Sequence, residues 1–352
     1  MLVLGLDIGG ANLKGASTAG EARSEPFEIW RTPEDLAGRL RALIAKFPPV
    51  DLIAVTMTAE LADCFATKAA GVAAIVAAVR EGAAGIRVVF WQTTGEFAPL
   101  DGDYSYQAVA AANWHALATW AGRLAPRGKG LLLDIGSTTT DVIPLQDGKP
   151  AAFGTTDVTR LLNQELVYTG ARRTPLCAVA SSVTVRGRPC GVAAELFATM
   201  LDVFLLLGQI PEDETDRQTA DGRPATIPYA HDRMAHMVCG DRDEIDLAEA
   251  RAIARCFCDT QQKQLAGAID AVVGRDDLML QTVVVSGSGE FIGRELLGKH
   301  PRTRSASIVR LAASLSPELA DAACAYAVGV LAVERYSTQR AGGLIPLVNR
   351  NT

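Results

Sequence analysis

Two stretches far apart in the chain, Asp7-Ile8-Gly9-Gly10-Ala11-Asn12-Leu13-Lys14 and Asp134-Ile135-Gly136-Ser137-Thr138-Thr139-Thr140-Asp141, carry the same order of residue types. Each follows an apolar run, residues 2–6 and 131–133. Each places an aspartate where the run ends and passes through glycine into small or hydroxylated residues. Glycine lets backbone N–H groups approach an anion, hydroxyls add donors, and the aspartate can hold Mg²⁺ directly or through water. The pattern reads as a β-hairpin whose tip takes a phosphate. Its repetition reads as a phosphate-handling cleft between two related domains. A third stretch, Ser286-Gly287-Ser288-Gly289, follows Val283-Val284-Val285 and precedes a helical pattern. Small residues between a strand and a helix N-terminus suit a phosphate or a nucleotide's ribose, and equally suit an ordinary strand-to-helix turn.

The elements that must carry these loops alternate between strand and helix, which predicts an α/β fold. In the first half the pattern predicts a strand at 27–30, then a helix from an N-cap at Thr32, with Pro33 at N1, to about Phe47. A strand at 51–58, a helix at 67–80, a strand at 87–91 and an Ala-rich helix at 106–124 follow. Gly128-Lys129-Gly130 reads as a hinge or turn. The second half predicts a hairpin of 139–145 with 149–153 around Asp147-Gly148, a helix from 159, a strand at 176–185 and a buried helix at 195–207. The polar stretch 209–226 reads as a mobile loop. A long helix at 247–271, a strand at 282–285 and a closing helix at 316–336 complete the chain.

At 352 residues the chain is long enough for two domains, each with its own core. A net charge of −6 argues against a nucleic-acid partner held by bulk electrostatics and leaves room for a local basic pocket. The seven cysteines are odd in number and lack zinc spacing, which predicts reduced thiols in a cytoplasmic protein. No basic leader precedes the first apolar run, and no run reaches the ~18–20 residues of a membrane span.

Taken in order, the two Asp-Ile-Gly loops and Ser286–Gly289 resemble the two phosphate loops and the adenosine-type loop of the sugar kinase/heat-shock chaperone/actin superfamily. Within it the chain is similar to the hydantoinase/oxoprolinase branch, and there to a group linked to tetrahydromethanopterin-dependent one-carbon transfer and methanofuran synthesis. Supporting blocks are Thr56-Met57-Thr58-Ala59-Glu60-Leu61-Ala62-Asp63, Thr67-Lys68, Ala112-Asn113-Trp114, Gly154-Thr155-Thr156-Asp157, Glu165-Leu166-Val167-Tyr168-Thr169-Gly170, Arg173-Thr174-Pro175 and Glu195-Leu196-Phe197-Ala198-Thr199. They span about residues 1–335, and Ala59 stands where the group has glycine. The resemblance implies two actin-like (ribonuclease H-like) domains around a phosphate-binding cleft. These would be residues 1–127 and 128–340, with a helical insertion at about 190–275, the adenosine-type loop at 283–290 and a tail at 341–352.

The same resemblance implies a transferase that couples an aminomethyl-furan methyl diphosphate to a tyramine- or tyrosine-type phenol and releases diphosphate. Cationic character then develops at the furfuryl carbon, and the leaving diphosphate must be neutralised. On that reading Asp7, Gly9, Gly10, Asn12, Lys14, Gly136, Ser137, Thr138, Thr139, Ser286, Gly287, Ser288 and Gly289 bind phosphate. Asp7 and Asp134 hold Mg²⁺, and Lys14 and Lys68 neutralise phosphate oxygens. Asp141, Asp157, Glu60 and Asp63 compete for the role of base, and the sequence does not choose among them.

Each residue also has a plainer reading. Lys14 could be solvated, and Glu60 and Asp63 could cap the following helix. Arg160 either pairs with Glu165 on a helix surface or faces substrate. Arg173 is a turn residue by default and a substrate-carboxylate clamp only through the resemblance. Trp114 reads as core, and His231 and His236, five apart, read as surface or capping residues. ATP is allowed but not required, and a homodimer is allowed. The rival functions are an ATP-dependent kinase or amide hydrolase of the same fold, and a nucleotide-gated sensor without turnover.

Overall fold

A computed structural model describes residues 1–275 and 279–337, and the expected tail at 341–352 lies outside them. In chain order come β1 (Val3–Ile8), β2 (Asn12–Ser17), β3 (Ala22–Pro26), α1 (Leu36–Ile44), β4 (Leu52–Met57), α2 (Lys68–Gly82), β5 (Val88–Trp91), β6 (Phe97–Pro99), α3 (Tyr106–Val109) and α4 (Asn113–Ala121). Next are β7 (Lys129–Ile135), β8 (Thr140–Gln146), β9 (Lys149–Pro150), α5 (Asp157–Leu162), β10 (Leu166–Val167), α6 (Leu176–Val179), β11 (Ser182–Val185) and β12 (Arg188–Gly191). Then follow α7 (Met200–Leu206), α8 (Ile227–His236), α9 (Leu247–Val273), β13 (Leu280–Ser286), α10 (Glu290–Lys299), β14 (Ser307–Arg310), α11 (Pro317–Asp321) and α12 (Ala323–Ser337).

Contacts gather these elements into two units that interleave in sequence. One holds residues 1–130, 145–160 and 311 onward, and the other holds 131–144 and 161–310. The expected single division at 127/128 is therefore replaced. The reason is α12, which packs on β1, β2, β4 and α4 of the first unit. Gly329 sits against Gly5 of β1, and a Cβ on Gly5 would overlap the Ala325 carbonyl.

The first sheet runs β3-β2-β1-β4-β5-β6, with β1 antiparallel to β2 and parallel to β4, and β4 parallel to β5. The second runs β10-β8-β7-β13-β14. With the edge strand β6, the short β9 and the separate β11–β12 hairpin set aside, both follow the order 3-2-1-4-5, the ribonuclease H-like arrangement, and the α/β class is as expected. Alternation supplies each core. Leu4, Leu6 and Ile8 join Ile53, Val55 and Phe90 in one cluster, and Leu131, Leu133 and Ile135 join Val283 and Val285 in another. Among the described residues no helix is long and apolar enough to cross a membrane.

Local chemistry overrides several sequence expectations. The strand near 27–30 lies earlier, at β3, and Phe27 and Ile29 instead donate to the Ala11 and Gly10 carbonyls. The helix at 106–124 breaks between α3 and α4, where Ala111 takes φ +46°. Gly128 is a turn, yet Lys129 and Gly130 already belong to β7. The strand at 176–185 is split. Pro175 opens the single turn of α6, and only Ser182–Val185 is extended. It pairs with β12 across Arg186-Gly187, both at positive φ, a two-residue hairpin turn absent from the sequence reading. The helix at 195–207 starts at Met200, set by a capping box of Thr199 and Asp202. The stretch 209–226 lacks a named helix or strand but is tied down by Arg172–Asp216 and Arg233–Asp221 ion pairs. The closing helix is interrupted at Ala322, between α11 and α12.

If the β1–α12 contact closes the first unit, Gly5→Ala should lower stability by at least ~2 kcal/mol through overpacking. Gly38→Ala, in α1 with nothing within 4 Å of its added Cβ, should raise it by roughly 0.5–1 kcal/mol. Thermal melts of the two variants check the pair.

Candidate active site

The two Asp-Ile-Gly loops close in the same way. Gly9 N–H donates to the Asn12 carbonyl at 3.0 Å, and Gly136 N–H donates to the Thr139 carbonyl at 2.9 Å. Each loop is backed by a later segment of its own unit. Phe27 and Ile29 donate to Ala11 and Gly10, while Ala171, Arg172 and Arg173 donate to Gly136 and Ser137. The second backing is tight. A Cβ on Gly170 would lie 2.5 Å from the Gly136 carbonyl and 2.6 Å from the Thr138 nitrogen. Buried Gln261 of α9 fixes that segment by donating to Thr169 Oγ1 and the Gly170 carbonyl, at 2.8 and 2.9 Å.

The equivalence extends to the parallel neighbour. Ala59 N–H, after β4, donates to the Ile8 carbonyl at 3.1 Å, and Gly289 N–H, after β13, donates to the Ile135 carbonyl at 2.8 Å. Ala59, where glycine was expected, is buried and is not among the residues with positive φ, so the turn tolerates its methyl group. The residues that follow, Glu60 and Glu290, hold matching positions with different fates. Glu290 is paired with Arg310. Glu60 is 1% exposed, and its Oε2 has no partner within the protein.

In the first unit, Asp7 lies in register with Thr56 of β4, and Asp7 Oδ1 and Thr56 Oγ1 are both enclosed without a partner. Burial pushes the Asp7 carboxyl up to about 6, against the lowering effect of Lys14 and with a further rise from Asp321. Lys14 is not a solvated hairpin residue. Its ammonium donates to the Asp321 carboxylate at 2.9 Å and to the Asp321 carbonyl at 2.6 Å.

Glu60 has Lys68, Asp157 and the backbone of Ala111 as neighbours. Lys68 and Asp157 form an ion pair at 2.6 Å. One turn along α5, Arg160, 2% exposed, stacks its guanidinium 4.3 Å from the ring centroid of buried Trp114. Trp114 stands three residues after Ala111, whose N–H faces the Glu60 carboxylate. Helix α2 presses on the same place, since a Cβ on Gly71 would lie 2.7 Å from Glu60 Cα. Burial accordingly pushes Glu60 up to about 7, and the N–H groups of Glu60 and Ala111 and the charge of Lys68 offset only part of that rise.

The remaining expected residues are placed less pointedly. Asp63 is exposed. Arg160 and Glu165 are both buried rather than on a helix surface, and Glu165 is bonded to Arg275 at 2.5 Å. Arg173 is exposed and meets the second loop through its backbone N–H. In the second unit Asp141 is buried in β8, opposite Leu166 of β10. A Cβ on Gly287 would lie 2.8 Å from Asp134 Oδ1, so the third loop and the second Asp-Ile-Gly loop meet within that unit. Ser286 Oγ is enclosed without a partner. His231 Nε2 lies 2.7 Å from the Ile245 carbonyl, and His236 packs on the Phe197 ring. Sequence reading missed Thr56, Ala111 and Asp321. Thr56 and Ala111 lie inside or beside the blocks that carry the resemblance, whereas no motif marks Asp321, some 310 residues from the loop it joins.

Burial favours the protonated form of Glu60, so the folded protein retains a proton that the unfolded chain releases from about 4.5 upward. The stability tied to this carboxyl is therefore complete below about 4.5 and is lost as pH rises through about 7. Glu60→Gln, neutral at every pH, should leave the melting temperature at pH 5 nearly unchanged and raise it at pH 8 by roughly 5 °C. Equal shifts at the two pH values would contradict the assignment.

Known proteins resemble both the sequence and the fold. The (4-{4-[2-(γ-L-glutamylamino)ethyl]phenoxymethyl}furan-2-yl)methanamine synthase of Methanocaldococcus jannaschii is 32% identical over 304 residues, covering 85% of this chain and 90% of that protein. The protein of the same name from Methanococcus vannielii is 30% identical over 201 residues, covering 57% of this chain and 89% of that protein. A nucleotide-free acetone carboxylase structure superposes with a TM-score of 0.51 at 9% identity, over 93% of this chain and 70% of that one, a likeness of fold alone. The model of the hydantoinase/oxoprolinase family matches residues 51–321, which take in all of the second unit and the surroundings of Glu60. On that match and the long synthase alignment, the chain belongs to the hydantoinase/oxoprolinase family.

Proposed function

We propose that this protein is an enzyme of methanofuran biosynthesis that couples an aminomethyl-furan methyl diphosphate to a tyramine- or tyrosine-type phenol, releasing diphosphate. Family membership and the two synthase relatives support the biosynthetic role, and the name of those relatives describes an aryl ether carried on a furan-methyl carbon. The observation that carries the mechanism is Glu60, a buried carboxyl raised to about 7 with one oxygen unpartnered. A base poised near neutrality suits the removal of a phenolic proton. Asp157, a rival for that role, is held by Lys68 at 2.6 Å, and Asp63 is exposed.

In the reaction Glu60 takes the phenolic proton, and the oxygen's electron pair forms the bond to the furfuryl carbon. The carbon–oxygen bond to diphosphate breaks, and that pair leaves on the diphosphate. The furan ring stabilises positive charge at the carbon, so the demand falls on neutralising the leaving group. The Gly10 backbone N–H and the Lys14 ammonium offer this in the first unit, with Lys14 exchanging its Asp321 carboxylate for a phosphate oxygen.

Among the described residues no three His, Cys, Asp or Glu side chains gather as a metal cage. Mg²⁺ would instead rest on a single carboxylate, Asp7 or Asp134, and complete its shell with water and phosphate oxygens, as this ion commonly does. The enclosed, unpartnered Asp7 Oδ1 fits such a role. Bound there, Mg²⁺ would supply charge neutralisation to the diphosphate. A second reading, an ATP-dependent kinase or hydrolase, rests on Ser286–Gly289, where the unpartnered Ser286 Oγ stands before the N-terminus of α10.

The test is a coupling assay with Mg²⁺, the furan diphosphate and γ-glutamyltyramine or tyrosine, with and without ATP. The expected result is an ether by mass spectrometry, one diphosphate per ether, and no need for ATP. Below about pH 7, kcat/KM should rise about tenfold per pH unit and level off above it, because the base must be ionised. Glu60→Gln should lower kcat by roughly 10²–10⁴-fold. ATP turnover without ether would move the assignment to the second reading, and ATP binding without turnover would move it to a nucleotide-gated sensor.

A further inference from the structure

Trp114 is unusual for a core residue. It is 2% exposed, and its indole nitrogen, a donor only, is enclosed without a partner. Buried donors are rarely left unmade in native proteins, and such a group marks a place where an acceptor belongs. Its surroundings narrow what that acceptor is. The Arg160 guanidinium, itself 2% exposed, lies over the ring at 4.3 Å and holds the indole in one orientation. Ala111, three residues earlier, directs its N–H at the Glu60 carboxylate. Glu60 Oε2 is the complementary orphan, an enclosed acceptor that lacks a donor. Two enclosed groups, linked through Ala111, thus lack a proton donor and a hydrogen-bond acceptor respectively. A hydroxyl group is both.

The charges agree. Lys68 is paired with Asp157, so an ionised Glu60 stands as a buried carboxylate with one oxygen unpartnered. A neutral hydroxyl adds no net charge on entry. When its proton passes to Glu60, the negative charge moves from that carboxylate to the new oxyanion, and the net charge of the site is unchanged. An anionic ligand would instead add unbalanced charge at a buried carboxylate, which is costly. A neutral aromatic alcohol therefore fits, and an aliphatic one would be too weak an acid for a base near pH 7.

We propose that Trp114, held by Arg160, is the hydrogen-bond donor to the oxygen of the aromatic acceptor as Glu60 takes its proton. Trp114 is then the residue that selects a phenol. The inference deepens the coupling reaction proposed above and rests on it for its catalytic part. Trp114→Phe keeps the ring and the Arg160 stack and removes only the N–H.

The experiment has a binding arm and a kinetic arm, both on the full chain. In the first, the indole N–H signals of the four tryptophans of ¹⁵N-labelled protein are followed by NMR. Tyramine should move one signal downfield, phenethylamine, which lacks the hydroxyl, should not, and the moving signal should be absent from Trp114→Phe. In the second, Trp114→Phe should raise KM for the phenolic acceptor about tenfold and lower kcat, while KM for the furan diphosphate stays within twofold, consistent with loss of one hydrogen bond to a charged or charging oxygen. Equal shifts with tyramine and phenethylamine, no shift with either, or equal KM changes for both substrates would overturn the proposal. The binding arm uses the wild-type protein, so it decides the matter even if the variant fails to fold. A tyramine-specific shift without any ether product would retain the phenol subsite and reject the coupling reaction.

Discussion

Each unit depends on one backbone carbonyl at the end of its first strand. Ile8 accepts from Ala59, and Ile135 accepts from Gly289. The bond joins the end of that strand, where the glycine-rich loop begins, to the turn after the next strand in the sheet. It therefore brings an aspartate, a phosphate-type loop and a glutamate-bearing turn to one sheet end, the end where ligands of α/β sheets bind. The tight i to i+3 closures at Gly9 and Gly136 shape the loops, and the backing segments hold them. The side chains around Glu60 matter only after this frame exists.

The two units use the frame differently. In the second, the glutamate after the turn is neutralised by Arg310, and the turn itself is glycine-rich, with Gly287 at positive φ beside Asp134. In the first, the turn carries Ala59, and Glu60 receives no paired cation of its own. Lys68 is committed to Asp157, and Arg160 is committed to the face of Trp114. Desolvation then outweighs the nearby positive charges and raises the acid toward neutrality. The duplication gives one fold two versions of the same turn, one with a paired glutamate and one with a desolvated glutamate.

Burying an acid in this way lowers stability and is characteristic of functional sites rather than of cores. Several features crowd around the same carboxyl: the positive φ of Ala111, the close packing of Gly71 and the orphaned indole of Trp114. A helix that composition alone would run unbroken from 106 to 124 is interrupted at that point, so that one N–H can face a carboxylate. The local sequence preference gives way to the site.

Much of this was legible in the residues alone. The α/β class, the doubled Asp-Ile-Gly loops and the family follow from local patterns: apolar alternation, glycine before small residues, and blocks whose order is kept. That Asp157 rather than Glu60 is the carboxylate paired with Lys68 was not legible, because those partners are 89 residues apart. Nor was the return of the C-terminal helix to the first sheet, since the Gly5–Gly329 contact leaves no trace in the periodicity of either segment. The pairing of Lys14 with Asp321 and the stacking of Arg160 on Trp114 are of the same kind. Sequence determines what a short segment can do by itself. Burial and charge pairing belong to the environment, and only the tertiary structure decides them, because desolvation and Coulomb interactions depend on distance in space and not along the chain.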